Sequence, residues 1–149
     1  MQKITIHTDG SCLGNPGNGG CAAILSFGEY TKEISKGYFN TTNNRMELMA
    51  AIIAFEALKT KRHKIVLVSD SQYLLNALQP DKLQSWRMIG YKKIKNPDLL
   101  ERLENAIEGL EIETTWTRGH SGNALNERCD KLAKNAALYP TESDGKLPF

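Results

Sequence analysis

Two aspartates in this chain each follow an apolar run of strand character, Asp9 after Lys3 to Thr8 and Asp70 after Lys64 to Ser69. If the two runs are neighbouring strands, the carboxylates meet beyond the carboxyl ends of a sheet, where ligands of α/β folds sit. A third acid, Glu47, stands near the start of a helical pattern. Clustered carboxylates repel one another unless a cation lies between them, and hard oxygen ligands with spare water positions suit magnesium or manganese. Each acid also has a local reading. Asp9-Gly10 is a turn pair, Asp70 a helix N-cap, and Asn44-Arg-Met-Glu47 a capping box with Glu47 at the third helical position.

The glycines that follow Asp9 do not carry a nucleotide motif. Gly17-Asn-Gly-Gly-Cys-Ala22 fits the loose pattern G-x-G-x-x-A, but a strand follows it, whereas the dinucleotide fingerprint opens a helix. No phosphate-loop motif is present. A side-chain-poor backbone lets a large polyanionic ligand approach, with Ser11, Cys12 and Asn15 along its path; a plain tight loop into a hairpin is compatible with the same residues.

The elements that must position these acids form one continuous pattern. A strand over Lys3 to Thr8 is followed by a hairpin of Cys21 to Phe27 and Thr31 to Phe39, turning near Gly28-Glu29. Met46, Met49, Ala50, Ile53 and Leu58 recur at helical spacing behind the cap candidates Asn43 and Asn44. Then come a buried strand over Lys64 to Ser69, a short helix over Gln72 to Leu78, a helix over Leu99 to Ile107, a strand over Ile112 to Thr117, and a closing helix over Ala124 to Leu138. This order implies an α/β fold, a mixed sheet flanked by helices. The chain, 149 residues with 40% hydrophobic and 24% charged content, is expected to form a single domain over 1–149, ending in a flexible tail over 141–149. No apolar run approaches a membrane span and the start lacks the core of a signal peptide, so no membrane role is expected. Three cysteines fit neither a disulfide framework nor a zinc pattern, which suits the reducing cytoplasm.

A net charge of +2 is too mild to announce a nucleic-acid partner, but the charge is locally clustered. Between Lys82 and Lys95 the chain sets Lys82, Arg87, Lys92, Lys93 and Lys95 among Trp86 and Tyr91 without one acid. Basic and aromatic residues together favour nucleic acid, whereas a solvated helix face is the ordinary origin of such charges. His120 lies in the glycine-flanked segment Thr117-Arg-Gly-His-Ser-Gly-Asn123.

Thr8-Asp-Gly-Ser-Cys-Leu-Gly-Asn-Pro-Gly17, Thr41-Thr-Asn-Asn-Arg-Met-Glu-Leu-Met-Ala-Ala51, Ser69-Asp-Ser-Gln-Tyr73, Gly119-His120 and Asn126-Glu-Arg-Cys-Asp130 together resemble bacterial type 1 ribonuclease H, in family order over nearly the whole chain. The resemblance implies a ribonuclease H-like fold with a five-stranded mixed sheet, and hydrolysis of the RNA strand of an RNA/DNA hybrid to 3′-hydroxyl and 5′-phosphate ends. It implies a metal-holding, catalytic cluster of Asp9, Glu47, Asp70 and Asp130 for Mg2+, with Mn2+ an alternative, and a role for His120 in proton transfer or product release. Two metal ions about 4 Å apart would serve the attacking water and the leaving oxygen. Asp130 has a simpler reading as the i,i+4 partner of Lys134.

The same resemblance puts Cys12, Asn15, Asn43, Asn44 and Gln72 along the hybrid, with Thr42 at a phosphate of the DNA strand. Amides suit a minor groove, where base edges and 2′-hydroxyls separate RNA from DNA. Trp86, Arg87, Tyr91, Lys92, Lys93 and Lys95 resemble the family's basic protrusion, shortened after Gly90 and with Tyr91 where tryptophan is common. Asn40 stands where relatives can carry arginine, which predicts weaker phosphate binding there. The family usually works as a monomer. Two other classes share parts of this pattern, a metal-dependent DNA nuclease and a non-catalytic hybrid-binding module; the amides argue against the first and the intact acids against the second.

Overall fold

The computed structural model describes residues 2–118 and 123–145. The first strand, β1 (Ile4–Cys12), runs past the predicted end, so Asp9 and Gly10 lie within it rather than in a turn beyond it. Antiparallel β2 (Gly17–Phe27) and β3 (Tyr30–Thr41) follow, joined at Gly28-Glu29 as the sequence indicates. The parallel strands β4 (Ile65–Ser69) and β5 (Ile112–Trp116) extend the sheet on the other side of β1.

The mixed α/β sheet has six strands, in the order β5-β4-β1-β2-β3-β6, where five were expected. The addition is β6 (Glu142–Ser143), parallel to β3 and too short to show a period in sequence. It lies in the stretch read as a flexible tail. Thr141 donates its N–H to the Gly37 carbonyl at 3.1 Å, and Asp144 is buried, so residues 141–145 are tied to the sheet edge.

Among the described residues, five helices pack around the sheet: α1 (Asn43–Glu56), α2 (Gln72–Ala77), α3 (Lys82–Met88), α4 (Pro97–Ile107) and α5 (Ala124–Leu138). The sequence reading missed α3, whose seven residues bury only Leu83 and so show no usable period. Helix α1 is buried on all sides from Arg45 to Phe55, as expected of a helix enclosed between a sheet and a second helix layer.

Successive strand residues face opposite sides of a sheet. A side chain at Gly19 would meet Met46 of α1, and one at Gly20 would strike the backbone of α5 at Ala133. Helices α1 and α5 therefore cover opposite faces of β2, which explains why Gly19 through Ile24 are all buried. Gly20 pairs in register with Gly37, where a Cβ would strike the Ala136 carbonyl. Much of the glycine read as room for a ligand is thus room for helices.

Gly37→Ala should push α5 off the sheet and cost about 1–3 kcal/mol, the usual range for overpacking. Urea unfolding measures this; a change below about 0.5 kcal/mol, the level of an ordinary surface substitution, would show that the contact yields freely.

Candidate active site

Strands β1 and β4 are parallel neighbours, with His7 opposite Val68, and so Asp9 and Asp70 emerge side by side. Glu47 reaches them from α1. Carboxylate oxygens of Asp9, Glu47 and Asp70 all lie within 4.8 Å of one another. Close approach of α1 depends on Gly10, where a Cβ would come within 2.6 Å of the Glu47 nitrogen. Asp130, on α5, lines the same cavity of about 220 Å³, together with Thr8, Asn43, Asn126 and Glu127.

Local readings of the acids give way to other residues. The N-cap of α1 is Thr42, whose hydroxyl accepts the Arg45 N–H at 3.3 Å, not Asn43 or Asn44 as expected. Arg45 therefore occupies the third helical position, and Glu47, two residues later, takes no part in a capping box. Ser71 caps α2 by accepting the Leu74 N–H at 3.1 Å, which leaves Asp70 free of that duty. Asn123 caps α5. Asp130 does pair with Lys134, at 3.0 Å, while lining the cavity, so its two readings coexist.

The site is electrostatically loaded. Burial, followed by the charges of Asp70 and Asp130, pushes the Asp9 carboxyl up to about 7, against a partial offset from the Gly10 N–H that it accepts at 2.9 Å. Glu47, 7% exposed, is raised well above the usual carboxylate range by burial and by Asp9 and Asp70. The donor set is all carboxylate oxygen and mutually repelling, with Glu47 buried and Asp9 and Asp70 partly so, which fits a divalent cation that prefers hard ligands.

A polar edge runs away from this cavity. Asn15 accepts the Asn43 N–H through its side-chain oxygen at 3.1 Å, joining the β1–β2 loop to the start of α1. Asn43, Asn44 and Gln72 are exposed, and the half-buried Cys12 thiol donates toward the carbonyls of Gly17 and Thr41 at 3.4 and 3.5 Å. Asn15, Thr42, Asn44, Lys95 and Asn96 line an open groove of about 440 Å³.

The basic segment divides. Arg87 is held by Glu104 of α4 at 2.9 Å, and Trp86 packs against the core with the Lys82 ammonium 5.7 Å from its ring centre. Tyr91 also packs against the core, whereas Lys92, Lys93 and Lys95 are exposed. His120 lies outside the described residues. Thr8, Asn126 and Glu127 were not singled out in sequence; Asn126 and Glu127 sit inside the quoted Asn126-to-Asp130 motif, one helical turn before Asp130.

An acid cluster at the parallel junction of a mixed sheet, with an amide-rich edge beside it, suits a divalent-cation enzyme of α/β class. The RNase H family model matches residues 1–138, and the chain belongs to the ribonuclease H family of nucleases, which are divalent-metal dependent. It is 53% identical over 148 residues to a ribonuclease H of Blochmanniella floridana, covering 96% of this chain and 88% of that protein. A ribonuclease H of Proteus mirabilis is 50% identical over 147 residues, 96% of this chain and 92% of that one. Among solved structures, LC9-RNase H1, a type 1 RNase H with the type 2 active-site motif, is similar at a TM-score of 0.85 and 31% identity, covering 97% of this chain and 76% of that one. RNase H1 of the halophilic archaeon Halobacterium salinarum is similar at a TM-score of 0.64 and 27% identity, covering 90% and 96%.

Asp70→Asn should raise the Tm of the metal-free protein, because it removes one of the charges that Asp9 and Glu47 repel. A carboxyl raised in the folded state destabilises that state once ionised, so its penalty is absent below the unfolded value and complete above the folded one. The gain in Tm is therefore small near pH 4 and grows as pH rises through about 7, the Asp9 value. Melting curves in EDTA across that window test it, and a gain independent of pH would assign the effect to something other than carboxylate repulsion.

Proposed function

We propose that this protein is an endoribonuclease that hydrolyses the RNA strand of RNA/DNA hybrids, leaving 3′-hydroxyl and 5′-phosphate ends. The observation that carries the reading is the Asp9, Glu47 and Asp70 cluster, within 4.8 Å, beside an edge of exposed asparagine and glutamine amides. Asp9, Glu47, Asp70 and Asp130 would hold two divalent cations, magnesium or manganese, which would supply Lewis acidity for the attacking water and the leaving oxygen. The carboxylates would also orient that water. Asn43 lines both the cavity and the amide edge, so it is suited to fix the RNA strand next to the acids.

Asn15, Asn44, Gln72 and Cys12 line the minor groove of the hybrid, where a 2′-hydroxyl both donates to and accepts from an amide. Thr42, with Asn15 and Lys95 in the same groove, receives a phosphate of the DNA strand, and Lys95 supplies a cation that Asn40 does not. Lys92 and Lys93 contact the backbone further out, while Trp86, Arg87 and Tyr91 support that segment. His120 assists proton transfer or product release. The enzyme acts as a single-domain monomer in the cytoplasm, a compartment that suits free Cys12, Cys21 and Cys129; among the described residues no helix is long and apolar enough to cross a membrane.

Labelled RNA/DNA hybrid, duplex RNA and duplex DNA incubated with magnesium or with EDTA give the direct test. Only the hybrid should be cut, only with the metal, and not by Asp70→Asn; cleavage of duplex DNA would indicate a different nuclease. Replacing Lys92, Lys93 and Lys95 together with alanine should raise KM and lower the slope of log KM against log salt, because each phosphate contact releases counterions. An unchanged slope would mean that these lysines face only solvent.

A further inference from the structure

The buried ion cluster around Arg45 lies next to the amide edge and belongs to no part of the chemistry described so far. Arg45 is 4% exposed and sits in the first turn of α1, between Asn44 and Met46. Its Nε donates to Asp144 Oδ2 at 2.6 Å, and Nη2 donates to the Asp144 carbonyl at 3.1 Å. The Asp144 side chain is wholly buried, and the same Oδ2 accepts the Thr41 hydroxyl at 2.5 Å. On its other side the guanidinium engages Asp98 in two bonds, of 2.9 and 2.6 Å, and Nη1 donates to Asn96 Oδ1 at 3.3 Å. Asn96 in turn donates to the Tyr73 hydroxyl at 2.9 Å.

These contacts join the two walls of one groove. Asn15, Thr42 and Asn44 form one wall, at the start of α1; Lys95 and Asn96 form the other, just before α4. Arg45 stands behind the first wall and holds the second through Asn96 and Asp98. The acid that fixes the guanidinium from behind arrives from the far end of the chain, on the segment that β6 pins to β3. A planar guanidinium with bidentate partners sets orientation as well as distance, which a point charge would not do.

We propose that Asp144 and Arg45 act as positioning residues for substrate, with the C-terminal segment setting the spacing of the groove that takes the backbone of the nucleic acid. This inference rests on the hybrid-cleaving function proposed above. Without Asp144, Arg45 loses its fully buried counter-charge and turns toward the half-exposed Asp98, and the two walls lose their fixed separation. The carboxylate cavity is shared by β1, β4, α5 and α1, but Glu47, its acid from α1, is set against β1 by the close approach at Gly10 and not by Asp144. The effect therefore falls on binding of the hybrid and leaves the chemical step intact.

The test is steady-state cleavage of an RNA/DNA hybrid by the full chain, wild type and Asp144→Asn, well below the melting temperature of both, with binding of labelled hybrid in EDTA measured alongside. Asp144→Asn should raise KM roughly tenfold, and weaken metal-free binding by a similar factor, with kcat within about twofold of wild type. A variant with a lower Tm but unchanged KM would reduce the cluster to a stabilising contact and overturn the proposal, as would a fall in kcat with KM unchanged. Should Asp144→Asn fail to fold, Asp98→Asn decides the matter. Asp98 is 49% exposed, so its loss is tolerated, and the bidentate arm then requires a KM increase of roughly threefold; no increase overturns the proposal. If the wild-type enzyme leaves the hybrid intact, the function proposed above fails; if it cuts the hybrid and both variants bind it normally, only the positioning role fails.

Discussion

Three carboxyl groups held within 4.8 Å, one of them almost wholly buried, repel one another when charged, and a cation among them relieves that repulsion. The rest of the structure is arranged around maintaining that repulsion. Asp9 and Asp70 are neighbours because β1 and β4 run parallel, and Glu47 joins them because Gly10 lets α1 approach β1 closely. Part of the cost is offset locally. The Gly10 N–H lowers the energy of an ionised Asp9, and the Ser71 hydroxyl opposes the upward shift at Glu47. What remains is a site whose empty form is strained electrostatically and whose natural complement is a hard divalent cation.

Helix starts contribute to the same end. The cavity is lined by Asn43, the first residue of α1, and by Asn126 and Glu127, in the first turn of α5. Both termini direct partial positive charge toward the acids. Thr42 and Ser71 cap α1 and α2, so neither Glu47 nor Asp70 is drawn into capping those helices. Assigning the caps to neighbouring residues is what frees the acids for chemistry.

The surface beside the cavity is built on different terms. Charge clustering along Lys82 to Lys95 suggested one basic surface, yet Arg87 is turned onto α4 by Glu104, and Trp86 and Tyr91 support α3 and the turn after it. A surface ion pair of this kind contributes little to stability, typically under 1 kcal/mol, but it fixes which way a side chain points. Lys92, Lys93 and Lys95 are exposed without turning onto α4 in this way, and Lys95 lines the same groove as Thr42.

The sequence by itself determined the sheet strands that show an apolar pattern and the long helices, because periodicity is a local property of the chain, and its family resemblance pointed to the acids that end up together. It also contained the family resemblance that the RNase H match over residues 1–138 bears out. It did not determine that Asp9 lies inside β1, since alternation past Thr8 is hidden by glycine and polar residues whose burial depends on β2. Nor could it separate Thr42 from Asn43 and Asn44 as the cap, because all three are good cap residues and only the backbone angles choose among them. The short helix α3 buries only Leu83 and the strand β6 has only two residues, so neither repeats a periodic pattern. Only the tertiary structure assigned glycines 19, 20 and 37 to helix packing, and only it brought Asp144 to Arg45 across 99 residues. Such contacts are decided by how layers meet, and nothing in the local pattern of either segment specifies its distant partner.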